Sequence, residues 1–173
     1  MTAQHKTFEA LKGDLGYTNI MQTPKVTKVV VSVGVGSVKD KKRIEFIVDR
    51  ITTIAGQTPA KRSSKKSIAA FKMREGDTAG YQITLRGERM QSFLDKLIHI
   101  VLPRVKDFRG LKASSIDDMG NISIGIKEHT VFPETADEDA KDVFGFGITI
   151  ATTAKNKKDA EALLRHIGLP LKV

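Results

Sequence analysis

A chain of 173 residues, 40% hydrophobic and 28% charged, has enough apolar content to bury a core and too much for intrinsic disorder. Its 29 Lys and Arg against 20 Asp and Glu give a formal charge of +9, the footprint of a protein that meets a polyanion, either nucleic acid or an anionic membrane surface. The absence of Cys removes disulfides, thiolate chemistry and Cys-based zinc sites, no apolar run approaches a membrane span, and the N-terminal MTAQHKTFEALKGD lacks the apolar stretch of a signal peptide, so a cytoplasmic protein is expected.

Residues 2–16 predict a short helix through Phe8, Leu11 and Leu15, weakened by Gly13 and Gly16. After Pro24, KVTKVVVSVGVG sets Val29, Val31 and Val33 on one side and Lys28, Val30 and Ser32 on the other, a β-branched strand ending at Gly34 and Gly36. Asp40 is placed to cap a helix whose Ile44, Ile47, Val48, Ile51 and Ile54 follow three-four spacing, with Gly56 as its stop. GQTPAK, which contains Gln57 and Thr58, then turns the chain into a short strand.

The stretch from Arg62 to Arg89 carries the main functional signal. Its first part, RSSKKSIAAFKMREGDTAG, holds Arg62, Lys65, Lys66, Lys72 and Arg74, then Gly76, Ala79 and Gly80, with no hydrophobic period, and reads as a basic, mobile arm. Ile68 and Phe71 are apolar groups among those cations and require a partner. The second part alternates, Tyr81, Ile83 and Leu85 against Gln82, Thr84 and Arg86, as a half-buried strand does. Charge concentrates here: residues 59–112 hold thirteen basic groups against five acidic ones, while residues 113–173 are net acidic.

Gly87 ends that strand. Glu88 to Val101 predicts a helix with an apolar stripe of Met90, Phe93, Leu94, Leu97, Ile98 and Val101, stopped by Pro103. PRVKDFRG is a turn crowded with Arg104, Lys106 and Arg109. From Asn121 to Lys127, Ile122, Ile124 and Ile126 point inward, and Asn121, Ser123, Gly125 and Lys127 outward. The acidic stretch Glu134 to Asp142 reads as loop. Phe144, Phe146, Ile148 and Ile150 alternate with Gly145, Gly147, Thr149 and Ala151, and Asn156 is placed to cap a last helix through Ala160, Leu163, Leu164 and Ile167, ending at Gly168 and Pro170. Because each strand has one face fit for burial, the expected fold is α+β, an open, mainly antiparallel sheet with helices packed on one face. One domain spanning 1–173 is expected, with a basic protruding loop at about 64–80.

The outward residues Lys28, Ser32, Gln82, Thr84, Arg86, Asn121, Ser123 and Lys127 offer hydrogen bonds and positive charge but no aromatic ring. They suit recognition of RNA shape and backbone better than base stacking. The same polarity also serves simply to keep a sheet soluble, and a charge run is often a solvated face. GVGSVK, from Gly34 to Lys39, lies between a strand and a helix but lacks the third glycine of a dinucleotide fingerprint and the spacing of a P-loop, although the helix start beyond it can hold a phosphate. His5, His99, His129 and His166 show no metal-ligand spacing, and Glu88, Asp95, Asp107, Asp117 and Asp118 suggest no acid/base pair. Neither an enzyme nor a cofactor or metal is expected. Attachment to anionic membrane through residues 61–74 would need an amphipathic basic helix that the segment lacks.

From Asn19 to Leu169 the stretches NIMQTPKVTKVVVSVGVG, ITTIAGQTP, KKSIAAFKMREG, QITLRGERMQSFLDKLI, LPRVKDFRG, GNISIGIKEHTVFPE and ITIATTAK together resemble the bacterial ribosomal protein large-subunit five family. The resemblance implies a curved antiparallel sheet with helices on its convex side. It implies a structural constituent of the large ribosomal subunit that binds 5S rRNA and helps attach it to 23S rRNA in the central protuberance. Carried onto this chain, the 5S contact falls at Ser32, Gln57 and Thr84, with Thr58 alongside and basic support from Lys28, Lys65 and Arg86. The family usually has Asn at Ser32, so a hydroxyl of shorter reach replaces an amide with both donor and acceptor. The family's long loop, here about Ser64 to Gly80, extends toward the peptidyl-site tRNA, with Lys66, Lys72, Met73, Arg74 and Gly76 nearest it. Neighbouring large-subunit proteins and small-subunit protein thirteen are the further partners implied, with no membrane, in the cytoplasm.

Overall fold

The β-branched run after Pro24 becomes the central strand of the molecule. In the computed structural model, which describes residues 3–136 and 142–172, β1 (Val26–Gly34) pairs antiparallel with β3 (Thr78–Leu85) on one side and β6 (Phe146–Thr152) on the other. A short β2 (Ala60–Ser63) extends the sheet beyond β3, and β5 (Ile122–Ile126) extends it beyond β6, giving the order β2-β3-β1-β6-β5. Every pairing in this open sheet is antiparallel, and helices complete an α+β architecture. A separate parallel pair, β4 (Leu111–Lys112) with β7 (Leu171–Lys172), ties the chain's end to the turn after the third helix.

Alternation decides which face is covered. Val29, Val31 and Val33, Ile83 and Leu85, Ile122, Ile124 and Ile126, and Ile148 and Ile150 are all buried, and the residues between them form the opposite face. Against the buried side lie Ile47, Ile51 and Ile54 of α2 (Lys41–Ala55), Phe93 and Leu94 of α3 (Gly87–Lys96) and Ala160 and Leu164 of α4 (Lys157–His166), all in one core with the strand residues. Full burial of each large side chain contributes about 1.5–3 kcal/mol. The helix expected at the N-terminus is α1 (Ala3–Leu15), with Leu11 buried.

The ends of α2 follow their residues. The Lys42 amide donates to the Asp40 carboxylate at 3.0 Å, and Gly56 closes the helix at φ 66, donating to Thr52 O at 2.8 Å. Lys96 then binds this end to α3: its Nζ donates to Ile54 O at 2.8 Å and to the Glu134 carboxylate.

Four features depart from the sequence expectations or fall outside them. Pro103 does not stop the helix at Val101; the chain widens into a π-turn over Leu97–Val101 and continues helically through Leu102–Arg104. Proline crowds the carbonyl one turn behind it and has no N–H to give, and an inserted residue in that turn relieves the crowding while keeping Leu97, Ile98, Val101 and Leu102 buried. Asn156 occupies the N-cap position of α4, yet its side chain accepts no hydrogen bond there; the helix begins on its backbone carbonyl, which takes the Ala160 amide at 3.1 Å. His129 is fully buried, stacked on Phe144 at 4.3 Å with its Nδ1 accepting from the Phe144 amide, a core histidine. Of the acidic stretch expected as loop, residues 137–141 lie outside the described residues.

Candidate nucleic-acid interface

The register of the sheet converts scattered polar residues into rows. Ser32 lies beside Gln82 on one flank and Gly147 on the other, with Ala60 beyond Gln82 and Gly125 beyond Gly147. One step along, Thr84, Val30, Thr149 and Ser123 form the next row, and Lys28 stands beside Ala151 in the one after. The face is low in relief because glycine and small hydroxyl residues hold its centre. The Ser32 hydroxyl reaches Gly147 O only at 3.5 Å, Ser123 and Thr149 share a hydroxyl–hydroxyl contact at 3.1 Å, and Arg62 Nε donates to Gln82 Oε1 at 2.7 Å.

None of these five strands contains an Asp or Glu. Lys28 and Arg62 lie on this face within them, and Arg86 and Lys127 lie at their ends, so the face is positive without internal neutralisation. Asn121 belongs to the fold instead: its amide donates to Asp117 at 3.0 Å, and its carbonyl accepts from the Thr152 amide at 3.2 Å. Hydrogen bonds from the Asn121 side chain and backbone hold the Asp117 carboxyl below its usual range.

Antiparallel pairing of Ala60 with Gln82 brings the chain entering β2, with half-buried Gln57 and exposed Thr58, to the end of the sheet where Thr84 and Arg86 leave β3. Lys28, Gln57, Thr58, Thr84 and Arg86 thus share one end of the sheet, and Ser32 lies midway. Lys65 does not join them. It follows Ser63, which pairs with Thr78, and so sits about 20 Å along the edge from Thr84. Gly147 and Thr149 were missed as part of this face, though the alternation of Phe146–Thr152 already carried the signal.

The basic arm is ordered by its own backbone, not a structureless loop. Ser64 N donates to Asp77 O at 2.8 Å and Gly76 N to Ser64 O at 3.0 Å; nearer the tip, Ile68 and Met73 exchange both amide bonds around a 3-10 turn, Ala69–Phe71. Side chains complete the closure: Glu75 N donates to Ser67 Oγ at 3.0 Å and Arg74 N to Asp77 Oδ2 at 2.7 Å. Lys65, Lys66, Lys72, Arg74 and Gly76 are exposed. Met73 turns back instead, its sulfur lying where a side chain on Gly36 would come within 3.0 Å. At the helix start beyond Gly34–Lys39 the Asp40 carboxylate already takes the Lys42 amide, one of the first-turn donors that a phosphate would use.

Among the described residues, no group of three His, Cys, Asp or Glu is placed to hold a metal ion, and no helix is long and apolar enough to cross a membrane. Residues 19–74 match the family described as ribosomal protein L5, and residues 78–171 match the model of that ribosomal family's C-terminus. The chain belongs to the ribosomal protein L5 family. A large ribosomal subunit protein uL5 from Flavobacterium johnsoniae is 48% identical, the match covering 96% of this chain and 92% of that relative. The uL5 of Francisella tularensis subsp. mediasiatica is 47% identical over 98% of this chain and 95% of its own length, and that of Ureaplasma urealyticum 45% identical over 96% and 91%. These L5 proteins form a structural, non-enzymatic family. The two L5 matches meet inside the arm, and neither half can build the sheet alone, because β3 of the second lies between β1 and β2 of the first.

Proposed function

We propose that this L5-family chain, a structural constituent of the large ribosomal subunit, acts as one domain that binds 5S rRNA through the open sheet face and helps attach it to 23S rRNA in the central protuberance. The arm reaches toward the peptidyl-site tRNA, and further contacts run to neighbouring large-subunit proteins and to small-subunit protein thirteen, in the cytoplasm. On this reading Lys28, Ser32, Gln57, Thr58, Thr84 and Arg86 meet the 5S RNA directly, and Lys65 acts from the arm side of the same edge. Lys66, Lys72, Arg74 and Gly76 face the tRNA, while Met73 braces the arm from behind.

The observation that carries the proposal is the acid-free sheet face, continuous across five strands, with a cation-rich arm at its edge. Such a surface fits a sugar–phosphate backbone, whose regular charge and hydroxyl groups need donors and cations but no stacking platform. The test is a filter-binding titration of the full chain against matched 5S rRNA and an unrelated structured RNA over a salt series. The expected result is a preference for 5S rRNA that persists at moderate salt, with log affinity falling linearly as log salt rises. Equal and equally salt-sensitive binding to both RNAs would overturn the proposal.

A further inference from the structure

A second surface feature lies on the other side of the sheet. The arm tip folds back toward the turn between β1 and α2, and between them opens a cleft of about 690 Å³. Tyr81 lines it, and Tyr81 points away from Gln82 and Thr84, so the cleft belongs to the helix side and not to the open face. Phe71 forms part of its wall with 71% of its surface exposed, whereas Phe93, Phe132, Phe144 and Phe146 are buried. Lys39, Lys41 and Lys72 line it as well, all exposed.

The tip that presents Phe71 is built to hold its shape. The Ile68–Met73 backbone pairing closes the turn, and Met73 packs against Gly36 beneath it. Lys72, directly after Phe71, is held at φ 50, a left-handed conformation that a lysine adopts only under constraint. An exposed aromatic ring on an ordered turn, bordered by three lysines, matches the two faces of a nucleotide: a flat π-surface and an anion.

We propose that this cleft seats one unpaired nucleotide of the RNA that the arm meets, with its base against Phe71 and its phosphate among Lys39, Lys41 and Lys72. The proposal rests on the reading of the arm as an RNA contact. Two carboxylates also line the cleft. Asp77 is engaged by the Arg74 amide, and Glu45 repels a phosphate while accepting from the amino or imino edge of a base, which orients the base inward and the phosphate to the lysines.

The chain contains no tryptophan, so Phe71→Trp installs a lone reporter at an exposed position that the core does not use. The full-length variant is titrated with a single-stranded oligoribonucleotide, with a fully paired duplex of the same composition, and with nucleoside monophosphates. The expected result is quenching of the introduced indole's fluorescence by the single strand and not by the duplex at equal occupancy. Phe71→Ala should lose about tenfold in single-strand affinity with an unchanged salt slope, and Lys39→Ala should reduce that slope by about one. Equal quenching by duplex, or unchanged affinity in Phe71→Ala, would overturn the cleft. Saturation by a free monophosphate with no response to RNA would overturn its assignment to RNA. Reduced single-strand affinity in a Lys72→Ala/Arg74→Ala variant alongside an intact Phe71→Ala variant would sink the cleft but leave the arm as an RNA contact; unchanged affinity in both variants would sink the two together.

Discussion

Thr84 and Gln57 reach the same end of the sheet by different routes, one from the end of a strand and the other from the loop behind α2. Each brings one polar residue to the end of a face whose strands hold no carboxylate. On the proposed 5S contact, Thr84→Ala and Gln57→Ala each leave a polar RNA group without its partner, which costs roughly 1–3 kcal/mol of affinity. Filter binding to isolated 5S rRNA measures this, and unchanged affinity in both variants would show that the contact lies elsewhere. Ser32 differs in kind. Its hydroxyl is held only by a long contact to Gly147 O, so it remains available to a ligand, and the glycine beside it leaves little room to spare, since a side chain there would meet Ser32 Oγ at 3.3 Å.

At the scale of the element, the arm separates two cationic surfaces that the charge total merges. Its cations sit beyond the Ser63–Thr78 end of the sheet, while Lys28, Thr84 and Arg86 lie at the opposite end. Lys72→Ala with Arg74→Ala is therefore expected to leave 5S affinity nearly intact while lowering polypeptide synthesis by reconstituted ribosomes. Loss of 5S binding in that variant would place the arm inside the 5S site. The arm also shows where a local reading stops. Its lack of hydrophobic period excluded a core element from Arg62 to Gly80, and β2 and β3 take only the two ends of that stretch, through Ser63 and from Thr78, yet its closure depends on Ser67 meeting Glu75, Ser64 meeting Asp77 and Met73 meeting Gly36. None of these pairings leaves a mark in the spacing of side chains along the chain.

At the scale of the whole molecule, the two ends of the chain are joined where Tyr17, just beyond α1, meets Asp159 in the first turn of α4. Burial, and then the hydrogen bond to and negative charge of Asp159, raise the Tyr17 hydroxyl from 10.0 to about 12. A folded-state value above the unfolded one means that this stabilisation is complete below pH 10 and is lost as pH rises from 10 through about 12. Urea midpoints measured across that range should fall more steeply for the wild-type chain than for Tyr17→Phe, with lysine titration common to both. Parallel profiles would show that Tyr17 ionises alike in folded and unfolded chains.

By itself the sequence determined the elements that obey short-range rules: the inward valines of β1, the Asp40 cap and Gly56 stop of α2, the alternation of Tyr81–Leu85 and the stripe of α3. In each case, the steric and hydrogen-bonding cause lies within a few residues. It also determined the polar character of the open face and, through the length and density of matching stretches, the family. Tertiary structure alone decided that β3 inserts between β1 and β2, that Thr149 and Gly147 join Ser32 in one surface, that Asn121 is tied to Thr152, and that Lys65 stands apart from Thr84. It also decided that Pro103 is absorbed by a widened turn and that Phe71 borders a cleft with Lys39 and Lys41. These outcomes depend on contacts between residues distant along the chain, or on whether packing rewards continuing a helix past its usual stop, and no local period encodes either.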